Sequence, residues 1–315
     1  MSGKNATETL PADAGGIAEA ARILRGEGLV AVPTETVYGL AARADSDAAV
    51  SRVFQAKGRP SFNPLIVHVT ALAQAETLAH LSPMARELAA RHWPGPLTLV
   101  LPLRESARLA AGVTAGLPTI ALRMPDHPVM RAVIAAVGAP LAAPSANRSG
   151  FVSPTTAAHV LTSLDGRIDA VLEGGPCSAG LESTIIAVRK DGSLALLREG
   201  PLRIAGAKTP DEARIEAPGQ MLSHYSPGKP VRLDVTQPRG DEFWIGFGEW
   251  PGDISLSPGG DPTEAAARLY ACLHQAAVAA QAAVAVAPIP DEGIGRAIND
   301  RLRRAAAPRD QRSGA

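Results

Sequence analysis

The sequence predicts an α/β (α+β) protein: one twisted, mostly open sheet, followed by a smaller α/β unit. Three observations carry that reading. Short apolar runs of strand character interleave with helical-period segments over the first two thirds of the chain. The polar clusters of that part fall at strand ends or in the turns after strands, where ligand sites of open α/β sheets collect. Finally, Pro210, Pro218, Gly219, Pro227, Gly228 and Pro230 punctuate a stretch of little periodicity before a second β-α-β-α order begins. The 315 residues suit two domains. The expected division is a first domain over residues 1–206, a linker over 207–230 and a small domain over 231–315.

Residues 1–14 read as a loose tail. Gly15 to Arg25 carries Ile17, Ala20, Ala21 and Leu24 at helical spacing, and Leu29 to Val32 is a short buried strand. Asp45-Ser46-Asp47 offers caps for a helix with Val50, Val53 and Phe54 on one face. Leu65 to Val69 is a strand with His68 near its end, and helical runs follow at Leu72 to His80 and Pro83 to His92. Strands are expected at Leu97 to Leu103 and Thr119 to Met124, a helix at His127 to Val137, and a strand at Pro140 to Ala143 that opens into Pro144-Ser145-Ala146-Asn147. Thr155 to Leu164 is helical and Ala170 to Leu172 extended. Glu182 to Val188 and Leu194 to Leu197 flank Lys190-Asp191-Gly192, a hairpin signal. In the small domain, Phe243 to Phe247 and Ala283 to Ala287 are strands. Asp261-Pro262-Thr263-Glu264 opens a long helix with a cap, an N1 proline and an N3 glutamate, and Gly295 to Ala306 is a basic final helix.

The chain is organised around Pro33 to Val69. Polar Thr34, Glu35 and Thr36 follow the first apolar strand, and Lys57 and Arg59 flank Gly58 ahead of Pro60. Glycine lets the backbone bend there and Pro60 stops the helix, so both cationic heads are expected to face one space, as a phosphate chain requires. Arg123 and Arg198 end strands, Ser145 and Asn147 sit in a turn, and Ser183 and Thr184 begin a strand. Singly, each fits an ordinary structural role: turn former, strand residue or surface cation. Their shared position at strand ends is what argues for a site.

Composition narrows the class. Lys plus Arg equals Asp plus Glu at 31 each, which weighs against a protein whose affinity comes from blanketing a polyanion. Aromatics at 3% argue against single-strand stacking platforms. Cys177 and Cys272 are the only cysteines, far apart and without metal-ligand spacing. The polar opening Met1 to Ala12 and the lack of an apolar run near 20 residues predict a soluble, cytoplasmic protein with no membrane contact. No Walker loop, nucleophile elbow or H-E-x-x-H helix is present, so the site is expected to position polyanions and small polar ligands without a protein nucleophile.

Pro33-Thr34-Glu35-Thr36-Val37-Tyr38-Gly39-Leu40, Lys57-Gly58-Arg59-Pro60, Asn63-Pro64-Leu65 and Ser145-Ala146-Asn147 closely resemble the YrdC-like family. Gly174-Gly175-Pro176, Glu182-Ser183-Thr184-Ile185, Leu197-Arg198-Glu199-Gly200, His224-Tyr225 and Gly293-Ile294-Gly295-Arg296-Ala297-Ile298-Asn299-Asp300 match its two-domain members, the L-threonylcarbamoyladenylate synthases. Gln220-Met221 departs mildly from that pattern, where Met is expected directly after Gly219. The resemblance implies a YrdC-like first domain and a small Rossmann-like α/β/α second domain. It implies that threonine, bicarbonate and ATP give threonylcarbamoyl-AMP and pyrophosphate, for use by the tRNA threonylcarbamoyl-transfer machinery. By the family pattern Lys57, Arg59, Asn63, Thr119, Ser145, Ser153, Arg198 and Tyr225 contact ATP. Thr36, His68, Arg123, Ala143 and Ser183 hold threonine, and Lys57, Arg59, Ser145 and Asn147 carry the chemistry. Magnesium is expected through ATP rather than protein ligands, with no organic prosthetic group and weak or no direct nucleic-acid binding. The large side chains Met221, Leu222, His224 and Tyr225 further suggest that the linker is a lid. Two other readings remain: a carbamoyl-adenylate-forming carbamoyltransferase and a non-catalytic RNA-binding module.

Overall fold

The computed structural model describes residues 6–210, 216–218 and 223–308. The expected linker contacts of Gln220, Met221 and Leu222, and the tail after Pro308, lie outside the described residues.

The first domain is laid down as β1 (Glu8–Pro11), α1 (Ala14–Arg25), β2 (Val30–Val32), β3 (Gly39–Arg43), α2 (Asp47–Lys57), β4 (Ile66–His68), α3 (Leu72–Leu78), α4 (Pro83–His92) and β5 (Leu97–Pro102). It continues through α5 (Ala111–Thr114), β6 (Thr119–Arg123), α6 (Pro128–Val137), β7 (Leu141–Ala142), α7 (Ala157–Leu164), β8 (Ala170–Glu173), β9 (Thr184–Val188) and β10 (Leu194–Arg198). Side-chain caps set several helix starts: Asp13 accepts from Gly16 N–H at 2.9 Å and Ser46 from Ala49 N–H at 3.1 Å. α2 ends on Gly58 at φ 58°, a left-handed cap that a side chain would strain.

The ten strands form one sheet in the order β1-β8-β2-β3-β7-β4-β6-β5-β9-β10. The expected loose tail is corrected here, because Glu8–Pro11 pairs in parallel with β8 and buries Leu10. β3 was not expected from the sequence; it pairs antiparallel with both β2 and β7. β9 and β10 form the expected hairpin.

Register places the site. His68 lies opposite Arg123 across the parallel β4–β6 pair and opposite Leu141 across β4–β7. Arg123 also faces Thr98 near the start of β5, and Leu97 faces Thr184 at the start of β9. Several strand ends that carry polar side chains therefore gather at one edge of the sheet. One face of the sheet packs on a large apolar cluster that includes Leu40, Leu99, Leu122 and Ile186.

The second domain is a four-stranded parallel sheet in the order β11-β14-β12-β13, from β11 (Val231–Arg232), β12 (Glu242–Gly246), β13 (Ile254–Ser255) and β14 (Ala283–Val286). It carries α8 (Pro262–Val278) and α9 (Gly295–Ala306), which touch one another. Asp261 caps α8 as expected, while Glu264 bonds the Ser257 hydroxyl at 2.6 Å and that hydroxyl in turn accepts Asp261 N–H at 3.0 Å. One apolar cluster joins Ile245, Val284, Leu269 and Ile298 of this domain to Val37, Val152 and Leu181 of the first. At the seam Gly180 has φ 67°, and a Cβ there would meet the Ala267 Cα at 2.5 Å, so glycine is what lets α8 approach. The two domains thus share a core.

Candidate active site

A pocket opens where the strand ends meet. Its walls include Thr36, Arg59, His68, Arg123, Ala143, Ser145, Arg198 and Tyr225. Eight of the expected site residues therefore meet in one place. Thr34, Ile66, Glu182, Pro218 and His224 complete much of the lining.

The Thr34–Thr36 turn is held by its own hydroxyls: Thr34 Oγ1 donates to Val37 O at 2.7 Å and accepts the Val37 and Thr36 N–H groups at 3.2 Å. The turn presents Thr36 Oγ1 and Glu35 to Arg123, whose Nη1 and Nη2 donate to them at 2.9 and 2.6 Å. Arg123 is 4% exposed, so its fork is fixed before any ligand arrives. Beside it, His68 is buried and its Nδ1 has no partner within the described protein. Burial and the neighbouring Arg123 charge push the imidazole down to about 3, so it is neutral at ordinary pH.

Arg59 and Arg198 line the same pocket. Arg59 Nη2 donates to Pro64 O at 2.9 Å and its Nε to Asn63 O at 3.3 Å. Arg198 donates from Nε to Ser183 O and from Nη2 to Ser183 Oγ, both at 3.0 Å, and that hydroxyl is tied to Thr98 Oγ1 at 2.7 Å. Among the described residues, no carboxylate forms an ion pair with either guanidinium. Burial, then mutual repulsion, lowers Arg59 to about 10, and burial also lowers Arg198. A half-buried Arg59 beside a buried Arg198, neither ion-paired to a carboxylate, suits an anion.

Several expected residues stand behind this wall. Lys57 corrects the expectation that both cations of the pair face one space. It is 2% exposed, and its ammonium donates to Ser145 O at 2.5 Å and to Asn147 O. The reason is positional: Lys57 is the last residue of α2, and its stem runs under the Pro144–Asn147 loop, while Gly58 turns Arg59 outward. Asn147 braces the same loop through Nδ2 to Phe151 O at 2.8 Å and Arg148 O at 2.9 Å. Ser153 and Ser183 are fully buried and orient Glu182 and Arg198 in turn. Asn63 is buried beneath Arg59. Thr119 lies at the opposite end of β6, about 13 Å along the strand from Arg123, on the rim of a separate groove with Val100 and Arg104.

Two participants, Glu182 and Arg301, escaped the sequence reading as site residues, and a third, His224, was expected only as part of the lid. Glu182 is 6% exposed inside the pocket wall. His224 is buried with an unpartnered Nδ1. Arg301, in the last helix, is 0% exposed and reaches Glu182. Only the motif match around Glu182 and His224 could have signalled those two.

Pro218, His224 and Tyr225 bring the linker to the pocket wall. Tyr225 is 1% exposed at φ 61°, a left-handed conformation uncommon for a bulky residue. Its ring stacks 5.6 Å from Tyr270 and packs edge-on to His224 at 4.1 Å. With these side chains in place the free volume is about 50 Å³, well below the few hundred Å³ typical of small-molecule sites.

Comparison with known proteins follows the same outline. The family model for the Sua5/YciO/YrdC domain, described as "Telomere recombination", matches residues 22–200, and that for "Threonylcarbamoyl-AMP synthase, C-terminal domain" matches residues 181–307. The chain is 39% identical to the Bacillus subtilis threonylcarbamoyl-AMP synthase over 93% of each chain. It is 37% identical to that of Pyrococcus abyssi, over 91% of this chain and 93% of the relative. The crystal structure of P. abyssi Sua5 complexed with L-threonine superposes with a TM-score of 0.86 at 35% identity, covering 95% of this chain and 97% of that one.

Proposed function

The chain belongs to the Sua5/YrdC family of threonylcarbamoyl-AMP synthases, in the form that carries the C-terminal domain, and from that premise we propose how its pocket makes the product. Its activity is threonylcarbamoyl-AMP synthesis, a nucleotidyl transfer that uses L-threonine and ATP. In the proposed course, bicarbonate and the threonine amine form a carbamate with loss of water, a carbamate oxygen attacks the α-phosphorus of ATP, and pyrophosphate leaves. One bond to phosphorus forms as one breaks, and no protein nucleophile is needed, only alignment and charge neutralisation.

The observation that carries this reading is the division of cations. Arg123 bonds Thr36 and lies opposite neutral His68, whereas Arg59 and Arg198 feel one another's charge, so we assign the former to one end of the pocket and the latter two to the other. The first end suits an amino acid: a guanidinium fork for the carboxylate, and the His68 Nδ1 and Thr36 hydroxyl for polar groups of threonine. The second suits a triphosphate. Ser145 lines the same pocket on the loop that Lys57 and Asn147 hold, which suits it to the α-phosphate. Ile66 and Ala121, paired across β4–β6, offer an apolar floor leading toward Thr119 for the base. Lys57, Asn63, Asn147, Ser153 and Ser183 then act by holding the groups that touch ligand.

Magnesium enters as part of the MgATP substrate. The carboxylate in the pocket wall, Glu182, already accepts from Ser153, Tyr270 and Arg301, so phosphate and water oxygens are left as its ligands. With a free volume of about 50 Å³ and Tyr225 and His224 on the wall, the reading has these two side chains shift to admit ATP and then cover it as a lid that keeps water from the mixed anhydride. The product then passes to a tRNA-modifying machinery in the cytoplasm. The test is pyrophosphate release by the purified protein: it should require threonine, and be lost in Arg59→Ala and Arg198→Ala variants that still fold.

A further inference from the structure

Arg301 sits in α9 of the second domain, yet its guanidinium is completely buried against the pocket of the first. Its Nε donates to Glu182 Oε2 at 2.9 Å, its Nη2 to Glu199 O at 2.8 Å and its Nη1 to Asp300 Oδ2 at 2.7 Å. Its Cζ lies 5.3 Å from the centre of the Tyr225 ring. One side chain thus touches the carboxylate of the pocket wall, the backbone just after Arg198, and the face of the linker tyrosine.

Glu182 is as fully engaged. Oε1 accepts from Ser153 Oγ at 2.6 Å, and Oε2 accepts from Tyr270 OH at 2.7 Å beside Arg301. Tyr270 belongs to α8, so two helices of the second domain converge on one carboxylate of the first. A buried carboxylate beside a triphosphate repels it, and draws the charge of Arg198 away from it, unless something else neutralises that carboxylate.

We propose that Arg301 is a positioning residue for the nucleotide: by neutralising Glu182 it leaves Arg198 to the phosphates and seats Tyr225, so the second domain completes the ATP half of the pocket. Threonine, held at the Arg123 end, does not depend on it. The inference rests on the proposed ATP site. It gives the C-terminal domain a stated chemical task within that site.

The test compares wild type, Arg301→Met, and Arg301→Met combined with Glu182→Gln. Calorimetric binding of MgATP and of threonine is measured alongside melting temperature. Arg301→Met should weaken ATP by about tenfold or more, the usual effect of one lost charge-assisted contact, and change threonine less than twofold. Removing the stranded carboxylate in the double variant should recover most of the ATP affinity. Equal weakening of both ligands, or no recovery of ATP binding in a folded double variant, overturns the proposal. Should the single variant not fold, the double variant decides alone: near-wild-type ATP binding supports the proposal, while lost binding or a second failure to fold assigns Arg301 to packing. Failure of the underlying site is separate, because wild type itself would then bind ATP as well as Arg59→Ala does.

Discussion

Arg123 donates from Nη2 to Glu35 Oε1 at 2.6 Å, so the fork proposed for the threonine carboxylate already holds a carboxylate. On the proposed reading threonine would bind by exchange with Glu35, which keeps the buried guanidinium paired until then. Arg123→Lys, which cannot present a planar fork, should raise the threonine KM by about tenfold or more through loss of charge-assisted bonds. Glu35→Gln should lower it. An unchanged threonine KM in Arg123→Lys would place the carboxylate elsewhere.

Lys57 and Arg59 should separate in their effects. Lys57 is buried on two loop carbonyls, so Lys57→Ala should cost about 1.5–3 kcal/mol of stability and activity together. Arg59 lines the pocket on backbone acceptors, so Arg59→Ala should remove activity with little loss in melting temperature. Thermal melts paired with single-turnover assays distinguish the two. Equal melting shifts would return both cations to one role.

How far these roles were legible follows from where each residue sits. His68, Arg123, Arg198 and Ser145 could be grouped because strand ends and the turns after them announce themselves in apolar runs, and parallel sheets gather such ends. Lys57 could not be separated from Arg59, because a lysine ending a helix looks the same whether its stem runs outward or under a loop. β3 was illegible for a different reason: Gly39-Leu40-Ala41-Ala42-Arg43 has little intrinsic strand preference and is extended because β2 and β7 flank it. The burial of Arg301 was hidden too, since a helix carrying Arg296, Arg301, Arg303 and Arg304 reads as a basic surface.

Acid should unfold the protein through its buried histidines. Burial and Arg123 hold His68 at about 3, burial mainly holds His224 at about 3, and burial together with the stacked His159 holds His274 at about 4. Unfolded, each has its ordinary value near 6.5. Between these values the unfolded chain binds protons that the folded chain refuses, so stability falls as pH drops below about 6.5. Each contributes about 1–2 kcal/mol by pH 5. Glu182, which burial raises but which Arg301 and Arg198 bring down to about 2, adds a further loss below its unfolded value of 4.5. Melting temperature should hold from pH 8 to 7 and fall steeply toward pH 5, less steeply in His274→Gln. A flat profile would contradict the burial of these rings.

Tyr225 lines the pocket and stacks on Arg301 and Tyr270. Tyr225→Ala should therefore weaken ATP by about tenfold or release intermediate that hydrolyses to AMP, while Tyr225→Phe keeps most of the ring contact. Proteolysis of the segment around Tyr225 should change when ATP is added. Unchanged cleavage together with unchanged kinetics in Tyr225→Ala would reduce the segment to a tether.

The most direct test of the account is to incubate the protein with MgATP, threonine and labelled bicarbonate and to follow the label. The account predicts a labelled adenylate formed in step with pyrophosphate and dependent on threonine. Valine, which keeps the shape but lacks the hydroxyl, should substitute poorly. Pyrophosphate release that proceeds equally without threonine, or an adenylate that carries no label, would contradict it.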